Sequence, residues 1–376
     1  MSHGHDLPDL NRDPADADIL GTASASSGAR PSQQGLLRVS IMANLPDVVT
    51  SLGGDFSKIC RQAAEAPSVV ADPDQFISYP RVGRLLAASI QATRCQHLGL
   101  VLGSTASLST LGLLGLMMKY APTVGTALDV MVRHFRLQDR MAVLGLTVEG
   151  DVACLSYAVD GPDAPAVEHI LDGALAVGYR LLQGLCGEGF TPEEVRLARR
   201  RPSDPAPWHQ TFRAPVRFNA EISAIVFPAK WLALANPHSD PALMRVLEER
   251  ARQLEQEDSL LFSDQVRRAI RPLLLSQKCS ATSTAEFFRI GKRTLNRRLS
   301  EEGTDFRTLM DEVRFDVARH LLRSTEISLS EIALVLGYAE ASAFTRAFRR
   351  WTGRSPRAWR RTTRHAALSQ VGLPVH

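Results

Sequence analysis

Two periods of apolar residues organise the chain. Around residues 141–160, MAVLGLTVEG and DVACLSYAVD alternate apolar and polar positions, and Glu149-Gly150-Asp151 joins them with turn chemistry. Period two on both sides of such a joint predicts a β-hairpin. Elsewhere the apolar period is helical. It predicts helices over Leu45–Ala66 and Phe76–Thr93, and two short ones over Leu111–Tyr120 and Val124–Leu137, split by Pro122. A long helix over Ala166–Cys186 follows the hairpin, then short strands at Val195–Arg199 and Ser223–Phe227. Pro237–Glu257 and Ser259–Leu275 read as helices leading into the C-terminal third.

That third carries the most specific local pattern. In SLSEIALVLGYAEASAFTRAFRRWTGRSPRAWR, Ser328 and Glu331 have the spacing of a capping box. Ile332, Val335 and Leu336 form one apolar stripe, Ala333 lets another helix cross closely, and Gly337 suits the positive φ of a tight turn. A second helix is predicted over Glu340–Trp351, buried through Ala343, Phe344, Ala347, Phe348 and Trp351. Ser342, Thr345, Arg346, Arg349 and Arg350 lie on its other faces, and Gly353 and Pro356 end it. A solvated amphipathic helix also carries arginines. The cap, the small crossing residue, the turn glycine and the basic second helix together predict a helix-turn-helix for the DNA major groove.

The segment EIALVLGYAEASAFTRAFRRWTGRSP resembles the signature of the AraC/XylS family of bacterial transcription regulators. The resemblance implies a DNA-binding domain with two helix-turn-helix units joined by a long helix. FDVARHLLRST, with Val313, Val317, Ala318, Leu321 and Leu322 on one face, suits that joining helix. KRTLNRRLSEEG resembles the first recognition helix, around Leu295 and Leu299. Carried over by position, the base readers are Arg293, Asn296 and Arg297 in the first unit and Ala341, Ser342, Thr345 and Arg346 in the second. Arg pairs with guanine, Asn with adenine, and Thr or Ala with a thymine methyl. Lys292, Arg298, Arg349 and Arg350 are assigned to phosphates. Relatives usually have glycine where Arg289 stands and a serine-like cap where Gly291 stands, which points to a different first turn.

The body resembles a known domain as well. From Val82 through Phe227, GRLLAAS, GLLGLMMKYAPTVGTALDVMVRHF and APVRFNAEISAIVFP look like the arabinose-binding-type sensor of the subgroup resembling ornithine-utilisation regulators. That implies a small-molecule sensor. His134 and Arg136, after apolar Val130 and Met131, are candidates to meet an anionic effector. A helix-end cap or surface pair is the plainer reading of the same two residues.

Charge supports the division. The net charge is +4, yet Ser280 to Arg364 holds 16 Arg and 1 Lys against 10 acidic residues, or +7. A basic third on a slightly acidic body is the footprint expected for DNA. GC-rich coding would also enrich arginine. The five cysteines, at 60, 95, 154, 186 and 279, contain no C-x-x-C pair, which argues against structural zinc and a disulfide framework. No secretory signal opens the chain, and the apolar run from Leu98 to Met118 is interrupted by Gly, Ser and Thr. These features predict a cytoplasmic protein without metal or cofactor.

No G-x-S-x-G, H-E-x-x-H, P-loop or strand-linked G-x-G-x-x-G is present, and His97, His134, His169 and His209 have no acid or cysteine at a telling spacing. The expectation is a non-enzyme. Its rivals are an enzyme domain fused to a DNA-binding module, distinguished by turnover, and an architectural DNA binder without a ligand. The expected layout is a disordered tail at 1–35, a sensor at 36–237, a linker helix region at 238–258, a DNA-binding domain at 259–365 and a tail at 366–376. The fold class is an α+β domain followed by an all-α domain. The expected function is a transcription regulator, an activator responding to a small-molecule effector. Its expected partners are double-stranded operator DNA, RNA polymerase and a second copy of itself, with no membrane.

Overall fold

The protein is described by a computed structural model over residues 35–159, 166–257, 261–275, 279–288 and 290–362. Of the expected tails at 1–35 and 366–376, residues 1–34 and 366–376 lie outside the described residues, as does Arg289.

The N-terminal α+β domain begins with β1 (Leu36–Arg38), α1 (Leu45–Ser51), α2 (Phe56–Gln62), β2 (Phe76–Ser78), α3 (Tyr79–Thr93) and α4 (Leu98–Ser104). It continues through α5 (Leu113–Tyr120), α6 (Val124–Arg133), β3 (Ala142–Glu149), β4 (Val152–Val159) and α7 (Val167–Cys186). β5 (Glu194–Arg196), α8 (Ala206–Phe212), β6 (Val216–Arg217) and β7 (Ser223–Pro228) complete it, and α9 (Pro241–Glu257) follows. The all-α C-terminal domain is α10 (Phe262–Leu275), α11 (Ala281–Phe287), α12 (Lys292–Glu301), α13 (Phe306–Ser324), α14 (Leu329–Val335) and α15 (Ala341–Thr352).

The hairpin forms in the expected register, Leu146 opposite Leu155 and Glu149 opposite Val152, with Gly150 turning at φ +58°. It opens a five-stranded sheet ordered β3-β4-β7-β5-β6, antiparallel except for β5 and β6. Alternation sends Ala153, Leu155, Ile225 and Phe227 to one face, where they join α7 residues Leu175, Tyr179 and Leu182 in the main core. Cys154 and Val226 pair on the other face.

Several expected elements differ in form. The helix expected over Val124–Leu137 ends at Arg133, with a 3-10 turn over Phe135–Leu137, and the strand expected at Val195–Arg199 is Glu194–Arg196. The helix expected over 45–66 is two helices, because Gly53 sits at φ +77° and Asp55 starts α2 by accepting from the Lys58 N–H at 3.1 Å. The first three residues of the helix expected from Phe76 form β2, antiparallel to β1. A second core, including Val39, Leu45, Ile59, Leu85 and Leu98, fills that N-terminal part.

Helices α4 and α7 pack at backbone contact. A Cβ at Gly99 or Gly103 would overlap the carbonyl oxygens of His169 and Gly173. The four-residue spacing puts both glycines on one side of α4. Asp139 ties the two cores together. Its carboxylate accepts from Tyr79 Oη at 2.5 Å, Tyr157 Oη at 3.0 Å, and the backbone N–H groups of Met141 and Ala142. Burial pushes the Asp139 carboxyl up, against these hydrogen bonds.

Candidate nucleic-acid interface and ligand cleft

The second helix-turn-helix forms as its cap and turn residues dictate. Ser328 Oγ accepts from the Glu331 N–H at 3.2 Å, and the Ser328 N–H donates to Glu331 Oε2 at 2.6 Å. Hydrogen bonding to the Ser328 side chain, and then to its backbone N–H, holds the Glu331 carboxyl below its usual range. Gly337 turns at φ +71°, and the Tyr338 N–H closes the turn on the Ala333 carbonyl at 2.9 Å. Glu340, expected inside the second helix, is its N-cap.

Phe344 and Phe348 lock α15 into the C-terminal core, and Trp351 and Trp359 pack edge-on against Phe348. Ser342, Arg346, Arg349 and Arg350 are exposed, while Ala341 and Thr345 are half-buried. Ser342 Oγ donates to Glu340 Oε2 at 2.9 Å, and Arg350 reaches Asp311 Oδ2 on α13 at 2.9 Å.

The first unit is held by α11, capped reciprocally by Ser280 and Ser283, and by buried Leu295 and Leu299 of α12. Gly291 stands at the N-cap of α12 and offers no side-chain cap. Lys292, Arg293, Asn296, Arg297 and Arg298 are all exposed. Arg298 lies over the Phe262 ring at 5.3 Å, and Arg297 is 3.9 Å from Glu301. Glu302 accepts the Phe262 and Ser263 N–H groups, each at 2.7 Å, at the start of α10. Between the units, α13 buries Val313, Val317, Ala318, Leu321 and Leu322 along the expected face. Each recognition helix thus turns a cationic face outward from a side anchored in one common core.

The two candidate effector residues part company. His134 is buried, with Nδ1 3.1 Å from Glu255 Oε1 on α9. Arg136 lines a cleft of about 820 Å³ between the sheet face opposite α7 and the helices α10 and α11. That cleft also takes in Cys154, Ser156, Arg196, Arg268, Phe287 and Phe288, none of which the sequence had pointed to as a ligand contact. The signal available for Cys154 and Ser156 was the hairpin alternation, which places small, weakly polar groups opposite Leu155 and Tyr157.

Two hydrogen bonds also join the domains at α13 and the start of the turn after it. Arg200 donates to the Arg323 carbonyl at 3.2 Å, and the Glu326 N–H donates to Asn219 Oδ1 at 3.2 Å. No described helix is long and apolar enough to cross a membrane.

Comparison with known proteins follows this division. The arabinose-binding domain of AraC transcription regulators, N-terminal, matches residues 53–236, and a helix-turn-helix domain matches residues 284–362. The regulator VqsM of Pseudomonas aeruginosa is 30% identical over 70% of this chain and 83% of its own length. The chain belongs to the AraC family of transcription regulators. Among AraC-family relatives, the ornithine utilization regulator of Pseudomonas aeruginosa is 27% identical over 86% of this chain and 96% of its own length. The crystal structure of the transcriptional regulator CdpR from Pseudomonas aeruginosa aligns over 81% of this chain and 96% of its own, at 25% identity and a TM-score of 0.40. Such relatives are named as regulators, VqsM as a transcriptional one, and not as enzymes. This AraC-family chain is accordingly a DNA-binding regulator with an N-terminal ligand-binding domain.

Proposed function

We propose that this protein is a cytoplasmic one-component activator. A small-molecule effector bound by residues 36–237 controls operator binding by residues 259–365, with 238–258 as the linker helix region between them. Helices α12 and α15 enter successive major grooves on one face of the duplex, about 34 Å apart. Arg293, Asn296 and Arg297, with Ala341, Ser342, Thr345 and Arg346, read base edges. Lys292, Arg298, Arg349 and Arg350 neutralise phosphates. The active form is a homodimer that contacts RNA polymerase, and Arg136 contributes to effector binding.

The observation that carries this reading is the pair of recognition helices. Each buries an apolar side in the C-terminal core and exposes arginines on the other. Effector control is supported by the hydrogen bond that Arg200 donates to the end of α13 and the one that Asn219 accepts from Glu326 after it, since a ligand that favours one domain arrangement shifts that equilibrium. Selection of binding sites from a random duplex pool by the full chain tests the reading. The expected result is two short conserved motifs one helical turn apart, with affinity falling steeply as salt rises. Enrichment of no motif at low salt would overturn it.

A further inference from the structure

The sheet face opposite α7 differs from an ordinary solvent face. Cys154 and Ser156 of β4 lie there, with Thr147 and Gly145 opposite them on β3 and Val226 beside them on β7. Solvated faces of antiparallel sheets are polar and charged, whereas the β3–β4–β7 strip is small and uncharged at these positions, and β5 brings Glu194 and Arg196 to its edge on the same face. It forms the floor of the 820 Å³ cleft. Ala269 and Leu273 of α10, with Phe287 and Phe288, form the roof. Phe287 is 57% exposed, although its ring centroid lies 5.2 Å from that of Phe288. An occupant that covered this ring would remove its apolar surface from water.

The charge in the cleft is uneven. Arg133, Arg136, Arg196 and Arg268 line it against two acids, Glu149 and Glu255. Arg196 donates its Nε to Glu194 Oε2 at 2.6 Å, and its terminal nitrogens have no hydrogen-bond partner among the described residues. A guanidinium has five N–H donors, and its terminal nitrogens suit a second carboxylate.

We infer that this cleft binds an amphipathic carboxylate, with its anionic head on Arg196 and its apolar body between Val226 and Phe287. The inference rests on the reading of the protein as a ligand-controlled regulator, and it names the ligand class and the place. The volume lies within the range of about 300–1,000 Å³ usual for small-molecule sites. The floor belongs to the N-terminal domain, while the roof belongs to α10 and α11, which carry the first helix-turn-helix. An occupant therefore touches both domains at once. Its differential affinity for two arrangements of roof and floor is what alters DNA binding.

The test uses the full chain with decanoate, 1-decanol and acetate as probes, titrated calorimetrically. Decanoate should bind, and 1-decanol and acetate should each bind at least about tenfold more weakly. Arg196→Gln should weaken decanoate about tenfold while leaving 1-decanol unchanged, and Phe287→Ser should weaken both. Decanoate should change the affinity of the wild type for a duplex selected from the random pool, and at the same concentration should leave that of Arg196→Gln unaltered. Circular dichroism confirms that each variant is folded. Failure of decanoate to bind overturns the inference, as does equal binding of decanoate and 1-decanol with no effect of Arg196→Gln. Acetate binding as tightly as decanoate also overturns it, by making the site one for any anion. Duplex binding without a probe is measured separately. Its absence would overturn the regulator reading, while the calorimetric result would still decide the ligand class.

Discussion

Arg200, in the loop after β5, donates to the backbone carbonyl of Arg323 at 3.2 Å, near the C-terminal end of α13. A cation there satisfies a carbonyl the helix leaves open and opposes the negative end of its dipole. Arg200 also lies 3.8 Å from Glu326, with the two side chains 35% and 55% exposed. One N-terminal side chain thus holds the helix that spaces the two recognition units.

Arg200→Ala should therefore change coupling more than stability. An exposed pair contributes little, so thermal unfolding should move by less than about 1 kcal/mol. The ratio of DNA affinities with and without effector should fall toward one. A ratio equal to that of the wild type would mean the contact is incidental.

The backbone contact between α4 and α7 predicts a large stability effect. Gly99→Ala puts a Cβ into the His169 carbonyl, which neither helix can yield without opening the core beside Leu98 and Leu171. Overpacking of this kind costs about 1–3 kcal/mol. Chemical denaturation of Gly99→Ala measures it, with Gly184→Ala as the control because a Cβ there meets nothing within 4 Å.

His169 makes stability depend on pH. Burial, with Arg199 and His97 nearby, lowers its pKa from 6.5 to about 4. The unfolded chain takes up that proton at higher pH than the folded chain does. Stability is unaffected by this group above about 6.5 and falls as pH drops from there toward about 4, by roughly 3 kcal/mol in all. His169→Gln should flatten that limb of the unfolding free energy between pH 4 and 6.5, and an unchanged slope would contradict the assignment.

Two arginines of α15 should separate reading from anchoring. Arg346→Ala should lower discrimination at one operator base pair by about 1–3 kcal/mol. Arg350 already pairs with Asp311 at 2.9 Å, so it is oriented by α13 rather than by DNA. Arg350→Ala should weaken specific and nonspecific duplexes alike. Binding to single-base operator variants distinguishes them, and a uniform loss from both would remove Arg346 from the readers.

Much of the C-terminal domain was legible because its signals are local. Ser328 with Glu331, Gly337, and the Phe344–Phe348 spacing each specify structure within one or two turns of chain. The hairpin was legible for the same reason, since alternation and a glycine turn are short-range. Pro80, in the first turn of α3, and Gly53, at φ +77°, by contrast, marked boundaries that helical periodicity alone ran through.

The sequence by itself determined the DNA-binding class, the two recognition helices and the hairpin, because caps, turns and apolar stripes act between neighbours in the chain. Only the tertiary structure decided that Leu36–Arg38 pairs with Phe76–Ser78, that Gly99 meets the backbone of His169, and that Arg196 and Phe287 face one cleft. Those relationships join residues far apart in the chain. They depend on how sheet and helices pack against each other, which no local period encodes.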